Sequence, residues 1–189
     1  MATFYVVTDV EFDGPRPGIN SMLSFASVAV SESGKQFSAF EAVLEPLEEA
    51  MQDDETMAFW QLHPAAWAAS TRDPEPPETV MHRFVGWVRS FQGEPIFAAH
   101  PVALDGPWLD YYLKRYTGRA LFEGPWREDR LFRHAPLCLM SLVAGKTGRR
   151  FAECDVNDYP SEWLGAIEHT HRPIDDARGY ARLLCAMLA

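Results

Sequence analysis

The sequence predicts one α/β layered domain, residues 1–189, built on a mixed sheet flanked by helices. Three observations carry that prediction: strand-like runs crowd the first 44 residues, amphipathic helical stripes bracket a short buried strand in the middle, and an apolar helical stripe closes the chain. At roughly 150 residues per domain, 189 residues suit one core that needs no disulfide scaffold. With 47% hydrophobic and 23% charged residues the composition excludes disordered, collagen-like and coiled-coil chains.

Residues 4–10, 22–30 and 37–44 read as strands, because apolar and small residues alternate or run together with β-branched ones. The Ser31-Glu32-Ser33-Gly34-Lys35 break is short enough to make the second and third an antiparallel hairpin. Residues 55–60 read as helix, and Pro64 suits the first turn of a further helical piece over 65–69. From Glu78, the spacing of Val80, Phe84, Val88 and Phe91 predicts a helix stopped by Gly93, and 95–99 is a buried strand. Leu109, Tyr112, Leu113 and Tyr116 define a helix with Pro107 in its first turn and Gly118 after its last. Residues 132–143 fit strand or helix equally, and 145–170 read mostly as loop. Pro173 then opens a final helix striped by Ala177, Tyr180, Leu184 and Met187.

Seventeen basic against 27 acidic residues leave a net charge of −10, which argues against bulk attraction to duplex nucleic acid or anionic membrane. A locally metal-filled cleft is compatible with it. The longest apolar stretch, 136–145, is far short of the ~20 residues of a membrane helix, and the first residues lack a basic leader, so a cytoplasmic chain is expected. Cys138, Cys154 and Cys185, an odd and widely spaced set, read as reduced thiols.

Asp9 and Glu11 stand two apart in a strand, so both carboxylates point to one face, an arrangement for metal ligation or simply a polar strand end. Asp105 follows a buried strand at a helix start, where an acid also caps helices, and Asp176 lies in the first turn of the last helix, where the helix dipole favours it. His171, five residues before Asp176, adds an imidazole at the same helix entrance.

Three ordered motifs, Thr8-Asp9-Val10-Glu11, His100 through Asp105, and His171-Arg172-Pro173-Ile174-Asp175-Asp176-Ala177, span nearly the whole chain. In this the sequence resembles the DEDDh (DnaQ-like) 3′→5′ exonucleases, of ribonuclease-H-like fold. The segment Glu55 to Gln61 followed by His63-Pro64-Ala65-Ala66 is similar to a phage-type subgroup, whereas Phe12 and Pro101 depart from the family pattern and bear on substrate contacts. The resemblance implies a single-stranded RNA or DNA 3′ end as partner, release of 5′-mononucleotides, two divalent cations, Mg²⁺ or Mn²⁺, and a homodimer. It implies that Asp9 bridges both cations, that Glu11 and Asp176 hold the nucleophile-side ion, that Asp105 acts on the other through water, and that His171 is the general base.

The chemistry fits independently: phosphodiester hydrolysis must stabilise an attacking hydroxide, a pentavalent anionic centre and a leaving alkoxide, and two divalent ions ~4 Å apart serve all three. Carboxylates suit Mg²⁺ or Mn²⁺, whereas the His169/His171 pair lacks a third soft ligand nearby in sequence for zinc. Phe12 and Trp60 are candidates for stacking on terminal bases, Trp60 being equally a core candidate, and His100 is expected to shape the second motif. His63, His82 and His134 read as ordinary histidines, Glu48-Glu49 and Asp53-Asp54-Glu55 as a solvated face, and Trp67, Trp87 and Trp108 as packing residues. Asp175 should be rotated about 100° from Asp176 and face elsewhere. The rival readings are an endonuclease of the same fold and a catalytically inert module that binds nucleic acid or protein.

Overall fold

Along the first strand, Thr3–Phe12 (β1), alternate side chains enter two different cores. Phe4, Val6 and Val10 join one apolar layer, whereas Tyr5 and Val7 join the other. Period-two alternation therefore puts Asp9 and Glu11 on the face of Tyr5 and Val7. In the computed structural model, which describes residues 2–189, β1 is the centre of a five-stranded sheet of order β3-β2-β1-β4-β5. The other strands are Met22–Ser31 (β2), Gln36–Val43 (β3), Glu94–Ala99 (β4) and Leu137–Cys138 (β5). β1 pairs antiparallel with β2 and parallel with β4, so the sheet is mixed, and β2 and β3 form the expected hairpin.

Helices cover both faces. Pro77–Arg89 (α3) and Val102–Thr117 (α4) bury Val80, Phe84, Trp108, Leu109 and Tyr112 in the first layer. Leu139–Thr147 (α5) and Pro173–Leu188 (α6) bury Val143, Ala177, Tyr180 and Leu184 in the second. The short helices Asp54–Leu62 (α1) and Pro64–Thr71 (α2) lie off the end of β1 and make a third small cluster of Leu23, Trp60 and Ala66. Among the described residues, no helix is long and apolar enough to cross a membrane.

Two local expectations, the places of Pro107 and Gly93, need correction, and others are refined. α4 begins at Val102, which leaves Pro107 inside the helix and puts Asp105 in the first turn without acting as the N-cap. α3 stops at Arg89, and Gly93 serves instead the entry to β4: its φ is 128°, and a Cβ there would lie 2.4 Å from the Ala2 carbonyl oxygen. The ambiguous 132–143 stretch contains both β5 and the start of α5, while 145–170 includes three single 3₁₀ turns. The acidic run is a solvated face as expected, with Glu48, Glu49, Asp54 and Glu55 exposed; within it Asp53 caps α1 by accepting the Thr56 N–H at 3.0 Å, and Glu49 pairs with Arg115.

Candidate active site

Three elements deliver the four carboxylates to one end of the sheet. Asp9 and Glu11 come from the last residues of β1, Asp105 from the first turn of α4, and Asp176 from the first turn of α6. Pro173 at the start of α6 fixes the phase of that helix, so that Asp176 faces β1 and is buried. Ligand oxygens of Asp9, Glu11 and Asp176 lie within 4.8 Å of one another. Asp105 stands outside that group of three and is tied to the strand through its Oδ1, which accepts the Val10 N–H at 3.2 Å. Asp175 is not part of that group: its carboxylate accepts the Thr170 hydroxyl at 3.2 Å and approaches Arg172, while the Thr170 N–H donates to Asp176 Oδ1 at 3.0 Å.

This arrangement is electrostatically costly on its own. Asp9, Asp105 and Asp176 are 8%, 2% and 3% exposed, and each has an Oδ2 without a hydrogen-bond partner among the described residues. Burial, then Asp105, Glu11 and Asp176, push the Asp9 carboxyl well above the usual carboxylate range. Burial followed by Asp176 and Asp105 does the same to Glu11. For Asp105 burial outweighs the opposing Val10 N–H. Among the described residues lining the cleft there is no lysine or arginine. An all-oxygen donor set with three orphaned buried oxygens and no protein cation fits hard divalent cations such as Mg²⁺ or Mn²⁺.

The cleft over these acids holds about 650 Å³ of space open to solvent and is bordered by Phe12, Phe59, Trp60, His100, Leu104, His169 and His171. His171 adopts a left-handed backbone, φ 56°. Its ring packs edge-on against Phe59 at 5.0 Å and lies 4.6 Å from His63 and 4.5 Å from His169. Burial and then these two imidazoles lower its pKa, with Asp176 opposing. His100 is 7% exposed, stacks on Tyr180 at 5.0 Å and meets the Tyr159 hydroxyl at 2.8 Å. Since Tyr159 donates its single proton to the Cys154 carbonyl, His100 must be the donor of that bond through Nε2–H. Burial pushes the His100 pKa down to about 4, so it is neutral at pH 7 and shapes the wall.

No family model matches the sequence. Among curated proteins, the chain is 30% identical over 121 residues to the 3′-5′ DNA exonuclease Cap18 of Escherichia coli, a match covering 60% of this chain and 59% of that relative. Among solved structures, the nuclease domain of 3′hExo, a DEDDh family member bound to rAMP, superposes with a TM-score of 0.65 at 10% identity, over 99% of this chain and 91% of that one. The chain shares the fold of that nuclease domain. Exonuclease I shares it, with a TM-score of 0.67 at 13% identity over 98% of this chain and 40% of its own.

Within this fold the two aromatic candidates separate. The Trp60 indole is 3% exposed, packs with Leu23 and Ala66, and donates its Nε1–H to the Phe12 carbonyl at 2.9 Å. Phe12 is half-buried and already stacks on Trp108 at 5.0 Å with the rings 9° apart. The cleft instead presents Phe59 and Leu104, 37% and 49% exposed, as its accessible apolar surface. Sequence reasoning missed Phe59 and His63; the signal was their i, i+4 spacing, which stacks them at 4.5 Å. Trp60→Ala should therefore cost about 3–5 kcal/mol of stability, read by urea unfolding, because it leaves a cavity under the cleft and frees a buried carbonyl. A loss below about 1 kcal/mol would show that the indole carries no packing.

Proposed function

We propose that the chain is a metal-dependent 3′→5′ exonuclease that removes 5′-mononucleotides from single-stranded nucleic acid ends. The observation that supports this most is the convergence of four carboxylates, three with an unpartnered buried oxygen among the described residues, at one end of the sheet beside His171. Asp9 would contact both cations, Glu11 and Asp176 the nucleophile-side ion, and Asp105 the other through water. Bound divalent cations supply Lewis-acid stabilisation of the charge that develops on the phosphate oxygens. The chain's own contribution is to orient and deprotonate. His171, held neutral at pH 7 by its surroundings, accepts the proton of the attacking water on a free ring nitrogen. Phe59, beside His171, offers a face to the terminal base, and Leu104 borders the same opening. Phe12, with one face on Trp108, has the other for the same use.

An inert binding module fits less well, because buried, mutually repelling carboxylates destabilise a fold that never binds a cation. The relative named as a DNA exonuclease makes single-stranded DNA the first substrate to test. Purified protein with Mg²⁺ or Mn²⁺ should shorten 5′-labelled single strands one residue at a time, and should release labelled mononucleotide at once from 3′-labelled ones. Matched RNA and DNA strands read the sugar preference, and sedimentation reads the expected homodimer. Internal fragments at early times would point to endonucleolytic cutting, and turnover undiminished in excess EDTA would overturn the metal mechanism.

A further inference from the structure

Beside the carboxylates lies a second group of donors with different chemistry. Ligand atoms of His169, His171 and Asp176 lie within 4.8 Å of one another. The His169 Nδ1 stands 3.1 Å from Asp176 Oδ1. Two ligands of a tetrahedral zinc ion, each ~2.0–2.1 Å from the metal, are separated by about 3.3 Å, so this pair is already near the required spacing. The Asp176 side chain, which the carboxylate group shares, is buried; its Oδ1 also accepts the Thr170 N–H at 3.0 Å, and its Oδ2 has no hydrogen-bond partner among the described residues. The sequence hid this set because Asp176, the third ligand, is supplied by the first turn of α6 rather than by the His-Thr-His segment.

We propose that His169, His171 and Asp176 form a binding site for one Zn²⁺-class transition metal ion, separate in selectivity from the all-oxygen set. Two imidazoles and one carboxylate favour Zn²⁺ or Co²⁺, whereas Mg²⁺ and Mn²⁺ favour carboxylate and water. Three protein ligands leave the fourth position open to water. The site shares Asp176 with the carboxylate group and takes the ring nitrogen of His171. Resting on the exonuclease reading, its occupation is inhibitory: an imidazole bound to metal cannot accept the proton of an attacking water.

The test is calorimetric titration of Zn²⁺ into the chelator-treated chain in excess Mg²⁺, with Co²⁺ as a visible probe of tetrahedral nitrogen–oxygen ligation. The expected result is one zinc equivalent whose affinity falls by at least about 10-fold in His169→Ala and in His171→Ala, the minimum for losing even an outer-shell partner. The tetrahedral Co²⁺ spectrum should vanish in both, while Glu11→Gln keeps the zinc equivalent. Zinc binding that ignores both histidine variants, or is abolished by Glu11→Gln, would overturn the site. Circular dichroism confirms that each variant is folded, and the two histidine variants test the same ligand set independently. In the native chain, Zn²⁺ should suppress Mg²⁺-supported hydrolysis, and undiminished hydrolysis at saturating zinc would overturn the inhibitory role. Binding is read without turnover, so absence of any hydrolysis would remove the exonuclease reading and leave the metal site standing.

Discussion

Asp9→Asn should lose roughly 10⁴-fold in turnover, equivalent to about 5 kcal/mol of transition-state stabilisation, and should at the same time raise the melting temperature of the metal-free chain at pH 8. The two effects have one cause. Asp9 sits against Asp105, Glu11 and Asp176 in a buried pocket, and folding raises its pKa and those of Glu11 and Asp105. The native chain therefore holds protons that the unfolded chain releases. The associated stability is complete below the ordinary carboxylate range, near pH 4, and is lost as pH rises through the elevated native values. Removing one charge relieves that loss, at ~2–4 °C per kcal/mol for a chain of this size. Scanning calorimetry in EDTA at pH 5 and pH 8 checks it: the gain should be larger at pH 8. A fall in melting temperature at both would make Asp9 a structural residue, and excess Mg²⁺ should stabilise the native chain more than the variant.

His171→Ala should lose roughly 10²–10⁴-fold in turnover while still binding Mg²⁺ and an oligonucleotide end. In the native chain the acid limb of the pH–rate profile should have its midpoint below the ordinary histidine value near 6.5, because burial, His169 and His63 all disfavour the imidazolium. That limb should disappear in the variant. Asp175→Asn is the control: its carboxylate is engaged with the Thr170 hydroxyl and Arg172 and does not line the cleft over the acids, and turnover should stay within about 2-fold. Native-like pH dependence in His171→Ala would assign the proton to another group.

Much of this was legible because it depends on local periodicity. The i, i+2 spacing of Asp9 and Glu11 sufficed to put them on one face of β1, and the 100° step between neighbours on α6, opened by Pro173, sufficed to bury Asp176 and leave Asp175 outside the buried set. What escaped depended on contacts between distant segments. The placement of Asp105 against β1 comes with a bond to Val10, 95 residues away, and nothing in its neighbourhood distinguishes that from a cap. Trp60 is buried because its indole meets the Phe12 carbonyl across 48 residues. His63 looked ordinary because it lies at the junction of α1 and α2, and only the packing of those helices brings it to His171. The 132–143 stretch was ambiguous for another reason: two residues of strand run directly into a helix, leaving neither period long enough to read.

Two helices begin at the acids, α4 with Asp105 in its first turn and α6 with Asp176 in its first turn. Each N-terminus carries roughly half a positive charge, so together they offset about one of the four carboxylate charges. Two divalent cations exceed what remains by about one unit. A chain of net charge −10 would thereby present, once loaded, a single spot of positive potential at the floor of an otherwise acidic molecule. Such a molecule would repel the flank of a polyanion while attracting one phosphate, which favours capture by the terminus over lateral gliding. Its association rate should then depend only weakly on strand length, and added salt should speed encounter with long strands by screening their repulsion.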